Sequence, residues 1–506
     1  MIIVTLDDDE LPKPDAGAGS FGGGEFTSSF HVLSKTNSPL VDFRIVVDHG
    51  SSMDTARTAG LANLTAAMVA DAGSRTMSYS EIQQALFPMA ASFSYQVDKE
   101  MTVFIGRTHR DNLDAYWKIV SGQLLDPGWR LDDFKRVKAK IVNQIRVDLR
   151  TNNDEELGKE VLYERLYEGH RYGRLNLGHV RTLNALTLVD VKRFYASYIR
   201  GAPRLGLAGG FDDAFAKRAI EDLAERGYVE DFDVEIANAI PGGRSLTGPK
   251  QHRVTIVQKE TRATALSFGF HTPVNRRHPD FAALWLARSW LGEHRSSNSH
   301  LFQRMREIRG MNYGDYAYVE YFPRGMSQFH PDANLCRRHQ IFQVWIRPVP
   351  PEQAVYALRI AKYELDKLVK NGLTEEQFTA TRSFLSKYLA LLVKSQDRQL
   401  GYAIDDRWYG MKDYVGTMRE RLAGLTLEKV NAAIRRHLTY DGLEIVFIAK
   451  DAEGLKAQLV SGAPSPITYD SKKPADILQE DKLIERYPLG LDQGAIHVVD
   501  VKTVFE

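Results

Sequence analysis

The sequence predicts an α+β protein built from two tandem, similar units, and three observations predict it. Hydrophobic periodicity switches along the chain between two and about 3.6 residues, so strands and amphipathic helices interleave. A short pattern recurs: Leu183-x-x-Leu186-Thr187-Leu188 returns as Leu422-x-x-Leu425-Thr426-Leu427, 239 positions later. The elements around it recur at nearly the same spacing, which is how a duplicated unit reads in sequence.

Taken in order, residues 11–25 are rich in Gly and Pro and read as part of a flexible leader over residues 1–27. Their glycines are not a phosphate loop, because no Gly-Lys-Ser/Thr and no helix start follow. Phe30–Ser34 and Val41–Val47 read as strands, Thr55–Asp71 as a helix, and Ala91–Val97 with Met101–Arg107 as paired strands. Asn112–Leu124, Leu131–Arg150 and Val189–Tyr198 read as helices, and Arg204–Ala208 as the strand that ends a first unit, 28–231. Residues 232–250 carry Pro241-Gly242-Gly243 and Thr247-Gly248-Pro249, which is linker chemistry. The second unit, 251–461, repeats the plan. Ile341–Arg347 reads as a strand, Pro351–Asn371 as a helix, a second helix starts at Leu373, and Glu428–Leu438 and Leu443–Ala449 form the last helix and strand. The strand ends Arg107 and Arg347 are 240 apart, and the helix starts Leu131 and Leu373 are 242 apart. The tail, 462–506, holds Pro464, Pro466 and Pro474 and an extended stretch at Ile496–Val499. It is expected to lie across the surface or dock on a neighbour.

At 506 residues with 43% apolar content, the chain can bury several cores. Its 66 basic and 65 acidic residues leave a net charge of +1, so no field steers it toward nucleic acid. The basic pairs Arg276-Arg277, Arg337-Arg338 and Arg435-Arg436 read as solvated faces. The single cysteine, Cys336, excludes an internal disulfide and reads as a small core residue. No window approaches the roughly 18 apolar residues of a membrane span. The start, Met1-Ile-Ile-Val-Thr-Leu, lacks the basic region of a signal peptide as it stands. The expected compartment is the cytoplasm, or the periplasm if the sequence is that of a mature form.

The 14 histidines are dispersed, with no His-x-x-x-His and no His-x-x-Glu-His. His271 and His278 flank a turn and read as polar surface residues, while His294 and His300 do not form a metal pair. Gly-x-Ser-x-Gly is absent, so no nucleophile elbow supports serine chemistry.

Four segments carry a resemblance. They are Gly60-Leu-Ala-Asn63-Leu-Thr-Ala66-Ala67-Met68, His170-Arg-Tyr172-Gly173-Arg174 with Leu177-Gly178, the helix from Leu186-Thr187 to Tyr198, and Leu301-Phe302-Gln-Arg304-Met-Arg306-Glu-Ile-Arg309-Gly310-Met-Asn312-Tyr313. Together with the tandem units they resemble the pitrilysin, insulinase and mitochondrial processing peptidase family, over roughly residues 28–460. The resemblance implies two α/β-sandwich units, each an antiparallel-rich sheet covered by helices, that form half of a clamshell.

It also implies that Asn63, Ala66 and Ala67 stand where that family has His-x-x-Glu-His, two imidazoles on one helical face beside a water-activating carboxylate. The third ligand, a Glu, maps onto Gln144. An Ala side chain has no lone pair, and a neutral amide is a poor zinc ligand. The implied state is a set of degenerate metal positions with no metal on this chain; Glu155 and Glu156 are the nearest carboxylates further on.

The resemblance further implies that Arg306 and Tyr313, seven positions apart, act at an active site. Arg306 can fork two donors onto a peptide carbonyl, and the Tyr313 hydroxyl can donate to a developing oxyanion. The plainer reading is an exposed helical Arg and a core Tyr. Phe93 and Tyr95, on one face of the Ala91–Val97 strand, fit an edge that takes an extended peptide, or equally an ordinary core face.

The implied function is that of a zinc-free partner in a heterodimeric zinc metallopeptidase. A similar-sized second chain with intact His-x-x-Glu-His would carry the zinc, and unfolded peptides would be the substrates. A catalytically inactive scaffold or peptide-binding protein is the alternative, and a hydrolase with a different metal site the third reading.

Overall fold

β-Branched and aromatic residues crowd the strand segments, where they suit a pleated, half-buried surface. In the computed structural model, which describes residues 2–5, 30–199, 203–227 and 251–506, these segments form two six-stranded sheets. The first contains β1 (Ile2–Thr5), β2 (Phe30–Lys35), β3 (Leu40–Val47), β4 (Ser92–Val97), β5 (Thr102–His109) and β6 (Arg204–Gly209), in the order β1-β2-β6-β3-β5-β4. The second contains β7 (Arg253–Gln258), β8 (Thr264–Thr272), β9 (Asp315–Tyr318), β10 (Gln340–Val349), β11 (Glu444–Ala449) and β12 (Ile496–Asp500), in the order β12-β7-β11-β8-β10-β9.

From the second strand onward the two orders are one topology. β2 runs parallel to β6, and β3, β5 and β4 follow antiparallel. β7 likewise runs parallel to β11, and β8, β10 and β9 follow antiparallel. The sixth strand lies parallel on the equivalent edge in both sheets, yet β1 comes from the start of the chain and β12 from its end. The fold is therefore α+β with the sheet duplicated, as the repeated pattern predicts.

That pattern has a local cause. Thr187 and Thr426 are helix N-caps: Thr187 Oγ1 accepts from Asp190 N at 3.3 Å and Thr426 Oγ1 from Lys429 N at 3.3 Å. The helices they start are Leu188–Phe194 and Leu427–His437.

Two helices start later than their patterns suggest. The first runs over Leu61–Ala70 rather than from Thr55, because Asp54 accepts from Gly60 N at 2.8 Å and Ala62 N at 3.0 Å and holds the preceding residues in turns. The other starts at Glu375 rather than Leu373, since Thr374 forms a capping box with Gln377. Within the expected leader, Ile2–Thr5 forms a strand; residues 6–27 and the expected linker 232–250 lie outside the described residues.

The two halves interlock. Helix Asp154–Leu166, from the first half, packs on β8 and β11 of the second sheet, with Gly158 against Ile448. Helix Gln396–Tyr409, its counterpart 242 residues on, packs on β2, β3 and β6 of the first sheet, with Leu400 and Ile404 over Gly206. Each half thus lends a helix to the other's sheet.

Charges seal the joint. Arg337, 1% exposed, forks onto Asp98, 0% exposed, with Nε–Oδ2 at 2.8 Å and Nη2–Oδ1 at 2.5 Å. Burial alone would raise the Asp98 carboxyl, but the Arg337 guanidinium outweighs it and holds the group below its ordinary value. Arg276, also buried, bridges Glu320 and Asp405 at 3.0 and 2.8 Å. These two arginines correct the expectation of solvated basic pairs; Arg435 and Arg436 are exposed as expected. Cys336 is buried, as a core cysteine should be.

The tail does more than lie on the surface. β12 extends the second sheet, and Phe505 reaches the first half, where its carbonyl accepts from Val180 N at 3.0 Å. Glu506 then pairs with Arg146 and Arg150 at 3.1 and 2.8 Å.

Candidate functional site

The helix Leu61–Ala70 is buried along its whole length. Its start is fixed by backbone packing: Gly60 and Gly178 have φ of +95° and +92°, and a Cβ on Gly178 would stand 2.4 Å from Gly60 Cα. Only glycine meets both demands, which accounts for Leu177-Gly178 and Gly60 recurring in the segments singled out above.

On this helix Ala66 and Ala67 are 0% and 1% exposed and pack into the core. Asn63 is 5% exposed, lines a cavity of about 550 Å³, and its Nδ2 has no hydrogen-bond partner among the described residues. Gln144 lines the same cavity from a π-helical segment, Gln144–Leu149, that continues helix Leu131–Asn143. Tyr95, from β4, completes this side, and burial pushes its hydroxyl well above the ordinary tyrosine value. Tyr321 and Arg324, from the second half, close the other side.

Of the nearby carboxylates, Glu155 is buried and tied to Arg347 at 3.2 Å. Glu156 lines the cavity but accepts from Lys159 Nζ at 3.1 Å and Arg324 N at 2.8 Å. A zinc ion needs several lone pairs converging at about 2.0–2.3 Å. Two alanines and two amides do not supply them, so the residues at the four mapped positions do not fit the metal.

The described residues contain one three-donor group able to hold a metal, and it lies elsewhere: His278, Asp280 and His437, with ligand atoms within 4.8 Å of one another. There Asp280 Oδ2 already pairs with Arg436 and His437, each at 2.7 Å. His271 and His278, expected at the surface, are both half-buried. His294 and His300 turn apart, His294 onto Tyr318 at 2.7 Å and His300 onto Glu364 at 2.8 Å.

Arg306 and Tyr313 are brought together, away from that cavity. Arg306 sits in a second π-helical segment, Phe302–Glu307, and its guanidinium lies 5.3 Å from the Tyr313 ring centroid. Tyr313 is 74% exposed, so it is no core residue. It precedes β9 rather than entering it, on a turn bracketed by Asn312. The Asn312 side chain donates to Asp315 Oδ1 at 2.7 Å and to Arg347 O at 3.0 Å, and accepts from Gly314 N at 3.2 Å.

The segment is held from behind by the tail. Arg309 Nε meets Asp481 Oδ1 at 2.9 Å, and its Nη2 meets Glu480 at 2.9 Å, both from helix Ala475–Ile484. No sequence signal marked this contact, because the partners are far apart in the chain. Phe93, half-buried, stacks on Phe104 at 5.9 Å and does not line the cavity. Among the described residues β4 pairs only with β5, and Gln96 Nε2 near its end donates to Ala333 O and Asn334 O at 3.0 and 3.1 Å.

Comparison with known proteins places the chain in a family. Residues 31–178 match the family described as Insulinase (Peptidase family M16), and residues 185–385 match the one described as Peptidase M16 inactive domain. The chain belongs to the insulinase (M16) peptidase family. Among relatives, an uncharacterized zinc protease of Mycobacterium tuberculosis is 22% identical over 373 residues, 72% of this chain and 78% of the relative. Among solved structures, a peptidase M16 inactive domain from Pseudomonas fluorescens aligns with a TM-score of 0.69 at 22% identity, covering 82% of this chain and 94% of that one. A protease from Helicobacter pylori aligns at 0.68 and 14% identity, covering 82% and 96%. No helix among the described residues is long and apolar enough to cross a membrane.

Proposed function

We propose that this chain is the zinc-free partner subunit of a two-chain M16 peptidase that degrades or processes peptides. The observation that carries the reading is the donor set Asn63, Ala66, Ala67 and Gln144, which offers a metal no carboxylate and no imidazole. Relatives bear the name zinc protease; on this reading the zinc and the general base come from a second, similar-sized chain with intact His-x-x-Glu-His. This chain closes the chamber, holds an extended peptide and presents Arg306 and Tyr313 to the scissile region. The exposure of Tyr313, with the half-buried Arg306 guanidinium beside its ring, supports that role, since a side chain that serves another subunit must reach the surface.

The test is reconstitution. Mixed with a co-encoded chain that carries His-x-x-Glu-His, this chain should raise hydrolysis of an unfolded peptide, and Arg306→Ala combined with Tyr313→Phe should abolish most of the gain. Equal stimulation by the double variant would favour an inactive scaffold or peptide-binding protein instead.

A further inference from the structure

We propose that the cavity beside Asn63 is a binding site for a primary ammonium group carried by a peptide. This rests on the peptide-holding role above and specifies what part of the peptide is gripped.

The wall of the cavity carries four carboxylates, Asp71, Asp148, Glu156 and Glu160, against two cations, Lys140 and Arg324. Asp71 is neutralised by Lys140 at 2.7 Å, and Glu156 by Lys159 at 3.1 Å. The other two are not so served. Among the described residues Glu160 accepts a hydrogen bond only from a neutral donor, the Tyr321 hydroxyl at 2.9 Å, and Asp148, exposed, makes no ion pair. Burial and the neighbouring Glu156 push the Glu160 carboxyl above its ordinary value, although Lys99, Tyr321 and Arg337 pull it down. A carboxylate in that setting gains from a cation that enters with its own charge.

A second observation is independent of charge. Buried polar groups are nearly always hydrogen-bonded. Asn63 is 5% exposed, lines this wall and leaves Nδ2 without a partner, so the wall is complete only with something in the cavity. The volume, about 550 Å³, lies within the roughly 300–1,000 Å³ of small-ligand sites. The carboxylates do not converge as metal ligands, since the described residues place their one such group elsewhere. An ammonium, a compact charge with three donors, suits the carboxylates, and a carbonyl of the same peptide supplies the acceptor that Asn63 Nδ2 needs. Two parts of a peptide supply one: the α-amine and a lysine side chain.

Calorimetry on the purified chain separates them, using three C-terminally amidated decapeptides of Gly, Ala and Ser. One has a free α-amine, one is Nα-acetylated, and one is Nα-acetylated with a central lysine. The proposal expects at least one amine-bearing peptide to bind tenfold or more tighter than the acetylated, lysine-free one, and which one does so names the source. Glu160→Gln should erase that preference. Asp148→Asn, at an exposed position that cannot unfold the chain, should weaken it several-fold. Equal binding of all three peptides overturns the ammonium site and leaves peptide holding intact. A preference that survives both variants overturns its location. No binding of any peptide overturns it as well, while the partner role is decided separately by the stimulation assay.

Discussion

At the scale of single residues, Arg306 and Tyr313 carry the chemistry proposed for the chain, and Asn312, bonded to Asp315, shapes the turn that holds Tyr313. A donor aimed at a developing oxyanion is worth about 2.7–4 kcal/mol, so Tyr313→Phe should lower kcat of the reconstituted complex roughly 10²–10³-fold. Its exposure means the melting temperature should not move. Asp315 adds a pH dependence. It is fully buried, and burial raises its carboxyl to about 8, while an unfolded chain loses that proton near about 4. The folded state therefore keeps the proton longer. With the folded value above the unfolded one, this group's contribution is most favourable at low pH and declines as pH rises from about 4 to 8. Asp315→Asn still accepts from Asn312 but cannot ionise. Melting curves of wild type and variant should coincide near pH 4 and separate toward pH 8, the wild type falling; a constant difference contradicts the assignment. The Arg306–Tyr313 spacing was legible in the sequence, and so was the absence of imidazole and carboxylate at Asn63, Ala66, Ala67 and Gln144. The run Asp98-Lys99-Glu100 was not. Between two strands it reads as a solvated hairpin turn, yet all three residues are buried: Asp98 and Glu100 meet Arg337 and Arg338 of the second half, and Lys99 donates to the Arg174 carbonyl of the first.

At the scale of elements, the repeat was legible because its cause is local. Thr187 and Thr426 cap equivalent helices, and capping chemistry is written within four residues. Strand alternation is equally local, and β2 to β6 appear close to where period two places them. The π-helical segments that carry Gln144 and Arg306 left no such mark, since one extra residue in a turn changes no composition. The tail helix Ala475–Ile484 was also hidden, although it braces the Arg/Tyr segment through Arg309. Removing one partner of a buried ion pair costs about 3–5 kcal/mol. Asp481→Ala, which leaves Glu480 as the one carboxylate paired with the buried Arg309 among the described residues, should cost up to about that much in a denaturant titration. A loss below about 0.5 kcal/mol, the usual range for a surface substitution, would mean the tail does not support the segment.

At the scale of the whole molecule, the exchange of helices Asp154–Leu166 and Gln396–Tyr409 makes two similar halves into one cooperative body. Arg337 and Asp98 lie in that joint. Arg337→Ala leaves Asp98 buried with the neutral Asn176 amide in place of its ion-pair partner, so it should destabilise by about 3–5 kcal/mol while unfolding stays a single transition. Two transitions would show that the halves fold independently. Such a body can serve as a rigid wall of a peptide chamber without performing hydrolysis itself, and that dependence on another chain's metal is the central claim. The most direct measurement is hydrolysis of an unfolded peptide by the purified chain alone, supplied with zinc and then with a chelator. The account predicts no cleavage under either condition; cleavage that zinc supports and the chelator abolishes would contradict it.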